Sequence, residues 1–216
     1  MIVNEIFYSL QGEGFLVGVP SVFIRLAGCP LRCKWCDTKY AWDYKAGQDY
    51  SIEQIAQAIQ EYKCKYVVIT GGEPMTNPDL PKLTQKLKGS GKHITIETAG
   101  IAFVPAIACD LMSISPKLSN SGSGAELDLS VLKCLIAEYE YQLKFVVDSA
   151  DDLPEIKQVL SKLNNIDFSK VMLMPQAATR DELLTKSPIV TDLCKQNGFA
   201  FCQRLQVLLW DNKRGF

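Results

Sequence analysis

Residues Ser21–Thr38 read "SVFIRLAGCPLRCKWCDT". The first eight residues are an apolar run that closes on Gly28, the pattern of a strand. Side chains alternate along a strand, so Ile24 and Leu26 share one face and Arg25 takes the other. The strand delivers a loop holding Cys29, Cys33 and Cys36, with no fourth cysteine nearby.

The same punctuation recurs downstream. "YVVIT" (Tyr66 to Thr70) ends at Gly71 and Gly72, and "HITIET" (His93 to Thr98) ends two residues before Gly100. "DLMSIS", "LKFVVD" and "KVMLMP" predict further strands, and "FAFCQRLQVLLW" the last one. Helical patterns lie between them. Ser51 caps a segment in which Ile52, Ile55, Ala56 and Ile59 share a face, with Gln54 at capping-box spacing. "DLPKLTQKLKGSG" is a helix with a glycine stop, and helices are predicted over Leu129 to Tyr139 and Asp152 to Leu163. "TRDELLTKSPIVTDLCKQNG" is expected to be helical with a break at Pro188. "KLSNSGSGAE" (Lys117 to Glu126) is expected to be a mobile loop.

Alternating strands and helices give an α/β fold with a largely parallel sheet. Strands buried on both faces read as near-continuous apolar runs, as these do. The chain of 216 residues is short for a complete eightfold barrel. A single domain over residues 1–216 is expected, built as a partial, open parallel β/α barrel.

Composition excludes several classes. A 47% apolar and 22% charged chain is ordinary for a soluble globular protein. A net charge of −1 provides no basic field for nucleic acid and no polybasic patch for a membrane. The N-terminus has no secretory pattern, and no apolar run is long enough to span a bilayer. Cys64, Cys109, Cys134, Cys194 and Cys202 are scattered among apolar residues and are expected to be buried, reduced thiols in a cytoplasmic protein.

Structural zinc wants four tetrahedral ligands, typically from two close pairs. Here no second pair exists, and zinc would have to recruit a scattered thiol or the single histidine, His93. A four-iron, four-sulfide cubane is held by thiolates. Three cysteines would ligate three irons and leave the fourth open to a substrate or cofactor.

The CxxxCxxC loop, with Trp35 before its last cysteine, resembles the signature of the radical S-adenosylmethionine superfamily. "GGEP" at Gly71, Gly72, Glu73 and Pro74 resembles the element with which members hold the methionine amino group. Glycines allow close backbone approach, and oxygens accept from an ammonium. The resemblance implies a 4Fe–4S cluster on Cys29, Cys33 and Cys36. Its open iron is chelated by S-adenosylmethionine, whose reductive cleavage yields a 5′-deoxyadenosyl radical.

"IFYSLQGEG", "ITIETAG", "SISPK" and "LLWDNKRGF" extend the likeness over nearly the whole chain, to the 7-carboxy-7-deazaguanine synthase family. That resemblance implies a lyase converting 6-carboxy-5,6,7,8-tetrahydropterin to 7-carboxy-7-deazaguanine with loss of ammonia, in queuosine and other deazapurine biosynthesis. It implies magnesium, a homodimer, and a flavodoxin or ferredoxin as reductant. Leu10, Gln11, Gly12, Arg25, Thr98 and the carboxylate of Phe216 then face the substrate. Trp35, Gly72, Glu73, Gly100, Ser115, Pro116, Lys117 and Gln176 face the cofactor, and Thr38 ligates Mg²⁺. One neutral oxygen is a weak site for Mg²⁺, so its binding is expected to require the substrate carboxylate. Other readings stand beside these: Trp35 as a packing aromatic, Thr38 as a helix cap, Arg25 in a surface ion pair. Glu13 is a further candidate for substrate recognition. Gln206 stands where related tails often carry histidine.

The glycine- and hydroxyl-bearing elements all fall at the C-terminal ends of predicted strands, where parallel α/β folds place their sites. A glycyl-radical activase would share the cysteine loop without needing "LQGEG", "CDT" and Arg25 together. A non-catalytic zinc or iron–sulfur module would need none of them.

Overall fold

The computed structural model describes residues 1–124, 126–163 and 165–213. Its strands are β1 (Ile2–Leu10), β2 (Pro20–Leu26), β3 (Gln48–Asp49), β4 (Tyr66–Gly71), β5 (His93–Thr98), β6 (Leu111–Ile114), β7 (Tyr141–Val147), β8 (Val171–Pro175) and β9 (Ala200–Phe201). The helices are α1 (Ile52–Gln60), α2 (Leu80–Gly89), α3 (Leu129–Glu138), α4 (Leu153–Lys162), α5 (Arg180–Asn197) and α6 (Leu205–Trp210).

One sheet runs in the order β3-β1-β2-β4-β5-β6-β7-β8-β9. From β2 onward every pair is parallel, while β1 lies antiparallel to β2 and β3. Among the described residues β3 and β9 remain edges, so the sheet is open, as predicted.

The strands divide their side chains between two faces. Ile24, Leu26, Ile69, Ile96, Met112, Ile114, Leu143, Phe145 and Leu173 are buried in the main core with Ile55, Ile59, Leu83, Leu87, Leu132 and Leu135 from the helices. Each such side chain contributes about 1.5–3 kcal/mol. The alternate positions Arg25, Thr70, Glu97, Ser113 and Lys144 line a cavity instead. In strands that otherwise read as apolar, a single polar residue therefore marks the concave face.

The Ser51 cap is present, with Gln54 N–H donating to its hydroxyl and the Gln54 side chain accepting from Ser51 N–H. Four expectations change. Strand β1 lies outside the predicted elements. Helix α5 runs unbroken through Pro188. The proline withholds one N–H from the Leu184 carbonyl, but Leu184 is 57% exposed, so solvent can take that bond. The predicted last strand is only β9, and "LQVLLW" is α6, since a short apolar run suits either state. The insert at Lys117–Glu126 is tied down where described: Ser119 N–H donates to Glu155, and the Ser121 carbonyl accepts from Lys34 N–H at 2.9 Å.

All eight cysteines are unpaired. Cys64, Cys194 and Cys202 are buried as expected, Cys109 is half-buried, and Cys134 is exposed on α3. Burial pushes the Cys109 thiol up to about 12 and Cys202 to about 11. Cys134 is therefore expected to be alkylated first among these five, at least about tenfold faster than Cys109 or Cys202. Timed iodoacetamide labelling read by peptide mass spectrometry checks this.

Candidate active site

A cavity of about 560 Å³ opens at the C-terminal ends of the parallel strands. Cys29, Cys33 and Cys36 all stand on its wall. The loop that carries them is built by its own backbone. Gly28 and Cys29 N–H donate to the carbonyls of Ala41 and Trp42, and the Arg32 guanidinium donates to the carbonyls of Cys29 (2.6 Å) and Leu31 (2.8 Å). Leu31, Ala99, Trp42 and Ile101 pack around the thiols, and burial pushes those of Cys29 and Cys33 up.

The residues fit a cubane better than zinc. Among the described residues, no three His, Cys, Asp or Glu side chains are grouped to hold one metal ion. His93 packs against Tyr66 at 4.9 Å, away from the wall, and no further cysteine lines the cavity. A cluster held here would have three protein thiolates, Cys29, Cys33 and Cys36, and would leave one iron without a protein thiolate.

The GGEP turn closes on the cysteine loop. Gly72 N–H donates to Leu26 O at 2.9 Å, and Glu73 N–H to Gly28 O at 2.8 Å. A Cβ on Gly72 would stand 1.9 Å from the Gly28 carbonyl oxygen. The Glu73 carboxylate is buried and accepts from Thr98 Oγ1 (2.7 Å), Ala99 N–H (2.7 Å) and Met75 N–H (3.1 Å). Burial still pushes its pKa up against those donors. Glu73 thus fastens the end of β5 to the GGEP turn. Thr98 spends its hydroxyl on this bond while also accepting from Gly100 N–H.

Ser115 and Lys117 follow β6. Lys117 Nζ donates to Ser115 O (2.7 Å) and Oγ (3.0 Å), and burial holds its pKa down against the pull of Cys33 and Glu73. Gln176 accepts from Lys186. Trp35 reaches the wall, and Lys34 Nζ lies 5.0 Å from its ring. Gly100 and Pro116 are the two described candidates that the cavity wall leaves out. Gly100, at φ +73, instead backs onto Leu132 and Ile114. Phe216 lies outside the described residues.

Leu10, Gln11, Gly12 and Arg25 form the opposite side. Gln11 Nε2 donates to Glu97, and Gln11 Oε1 accepts from Glu13 N–H. Arg25 Nε donates to Glu5 at 2.6 Å, so its ion pair sits in the cavity wall rather than on the outer surface. Its guanidinium lies against Phe7 and Tyr40. Thr38 opens the turn Lys39–Ala41 without a side-chain cap bond, and its hydroxyl is 3.5 Å from Cys36 Sγ.

Comparison with known proteins accords with this geometry. Residues 23–115 match the model of the radical SAM superfamily. The chain is 40% identical to a 7-carboxy-7-deazaguanine synthase of Rhodopirellula baltica, over 100% of this chain and 88% of the relative. It is 37% identical to that of Halobacterium salinarum, over 97% and 90%.

The chain belongs to the 7-carboxy-7-deazaguanine synthase family.

The crystal structure of QueE from Escherichia coli superposes with a TM-score of 0.78 at 29% identity, covering 94% of this chain and 93% of that one. Membership in this radical SAM family implies a 4Fe–4S cluster and S-adenosylmethionine. No helix among the described residues is long and apolar enough to cross a membrane.

The cavity wall also holds Glu97, Lys144 and Arg204, which the sequence did not single out, beside Glu13, which it did. Glu97 accepts from Gln11 and from Thr70 Oγ1 at 2.8 Å. Glu13 accepts from Lys144 at 2.9 Å, from Gln206 at 2.9 Å and from Arg204 at 3.2 Å. The pair of cations holds the Glu13 carboxyl far below the usual range, and Glu13 in turn lifts Lys144 despite burial.

Proposed function

We propose that this protein converts 6-carboxy-5,6,7,8-tetrahydropterin to 7-carboxy-7-deazaguanine with release of ammonia. The observation that carries this reading is the joint placement of the three thiols, the GGEP turn, the Leu10–Glu13 turn and Arg25 on the wall of one cavity.

Cys29, Cys33 and Cys36 hold the cluster. When bound, the cluster and S-adenosylmethionine supply the radical that takes a hydrogen atom from C6 of the pterin. The backbone of Gly72 and Glu73 meets the methionine end, with Ser115 and Lys117 beyond it. Arg25 pairs with the substrate carboxylate through its terminal nitrogens, which make no hydrogen bond among the described residues. Polar groups of Leu10, Gln11 and Gly12 meet the pterin's donor and acceptor edge. The wall excludes water from the reacting carbon on its apolar side through Phe7, Phe23 and Met174.

The Thr38 hydroxyl, unused as a cap, ligates Mg²⁺ together with the substrate carboxylate in this reading. Titration calorimetry is expected to show Mg²⁺ binding at least about tenfold tighter with the pterin present, since one neutral oxygen is a poor site. Equal affinity without pterin would refute this role. A flavodoxin or ferredoxin as electron donor, and a homodimer readable by light scattering, belong to the same proposal.

The test is anaerobic reconstitution with iron and sulfide, then S-adenosylmethionine, dithionite, magnesium and the pterin. Deazaguanine that forms only with pterin is the expected result. Deoxyadenosine without deazaguanine would reject the substrate and favour a glycyl-radical activase. Bound zinc without acid-labile sulfide would reject the radical chemistry altogether.

A further inference from the structure

Arg204 sits in the segment that leads into α6, with its side chain only 11% exposed. Its guanidinium reaches three separate walls of the cavity. Nε donates to Glu13 Oε1 at 3.2 Å, Nη1 to the carbonyl of Ala177 after β8, and Nη2 to Asp37 Oδ2. Asp37 stands between Cys36 and Thr38, and among the described residues its carboxylate pairs with Arg204. Helix α6 itself puts Gln206, Val207 and Trp210 on the wall.

A planar fork with five fixed donors can hold three acceptors that a lysine ammonium could not span. Because the three acceptors come from distant parts of the chain, the fork fixes their mutual spacing. Gln206 extends the same network to Glu13, while its own Oε1 is buried without a partner among the described residues. The C-terminal helix and the end of the cysteine loop are therefore joined through one side chain.

We propose that Arg204 is a positioning residue that couples α6 to the end of the cysteine loop, so that ordering either one orders the other. Coupling of this kind is reciprocal. It acts through Asp37 on the backbone that carries Cys36 and Thr38; its bearing on catalysis rests on the reaction proposed above.

Hydrogen exchange on the cluster-free protein tests the coupling without cofactor or substrate, and so stands or falls apart from that reaction. The reporters are amides with defined partners: Ala41 and Trp42, bonded to Thr38 O and Lys39 O, and Leu208 and Asp211, bonded to Arg204 O and Val207 O. Arg204→Gln is expected to raise exchange at both pairs by about tenfold or more, beyond any change at Val67–Ile69 in the core. Asp37→Asn, a milder change, is expected to raise exchange at Leu208 and Asp211 as well as at Ala41 and Trp42. Arg180→Gln is the control. Arg180 grips α6 through Leu208 O and Leu209 O, and among the described residues no hydrogen bond links it to the cysteine loop. It should loosen Leu208 and Asp211 alone. Asp37→Asn effects confined to the loop, or Arg204→Gln effects confined to α6, would overturn the proposal. Full protection at both pairs in Arg204→Lys would overturn the need for the fork.

Discussion

Gly72→Ala is expected to abolish most of the activity by adding one methyl group. That Cβ would lie 1.9 Å from the Gly28 oxygen, 2.3 Å from its carbon and 2.9 Å from the Cys29 nitrogen. All three are backbone atoms, so no rotamer change relieves the clash. Either the GGEP turn or the start of the cysteine loop must move by more than an ångström, and the bonds from Gly72 N–H to Leu26 and from Glu73 N–H to Gly28 go with it. Overpacking of this kind costs about 1–3 kcal/mol. A shift of about 1 Å in a positioned group costs on the order of 100-fold in rate. We therefore expect reconstituted Gly72→Ala to bind less iron and sulfide and to form deoxyadenosine about 100-fold more slowly. Gly89→Ala is the matched control. No atom lies within 4 Å of a Cβ there, and the residue is helical, so the change should be neutral or slightly stabilising. Wild-type iron content and rate in Gly72→Ala would show that the close approach is dispensable.

The main framework was legible because the physics acts locally. "YVVIT" and "HITIET" are apolar enough to be strands buried on both faces, and Ser51 with Gln54 satisfies a helix start within four residues. Strand β1 was not legible, because its antiparallel pairing leaves most of its residues half-buried and its pattern mixed. The α6 segment was misread because six residues carry too little period to separate helix from strand. At the site, the cysteine loop and GGEP turn are contiguous motifs and could be read directly. The charged network is different. Glu13 meets Lys144 across 131 residues and Arg204 across 191, and no local pattern encodes such a pairing. One signal did exist. Thr70, Glu97, Ser113 and Lys144 are isolated polar residues inside apolar strands, and period two places them beside Arg25 on the concave face.

Lys144→Met should show what that network contributes to stability. Lys144 is 3% exposed and lies 2.9 Å from Glu13, which stays ionised because Lys144 and Arg204 face it. Methionine fills similar space but leaves a buried carboxylate with one cation fewer. Removing one member of a buried pair costs about 3–5 kcal/mol. The loss should appear at pH 7 in urea unfolding of the cluster-free protein. Its pH dependence has a definite sign. A depressed carboxylate contributes stability that is present above its unfolded value, 4.5, and is lost as pH falls through the folded value. In Lys144→Met the folded value of Glu13 rises, because burial is no longer offset by two cations. The variant therefore takes up a proton at a higher pH than the wild type, and the stability gap between them should narrow as pH falls through the variant's folded value. Glu13→Gln combined with Lys144→Met should recover much of the loss, since a neutral amide needs no counter-charge. An unchanged stability in Lys144→Met would mean that Arg204 and Gln206 alone suffice to hold the carboxylate, and that the lysine is kept for the charge it presents to the cavity.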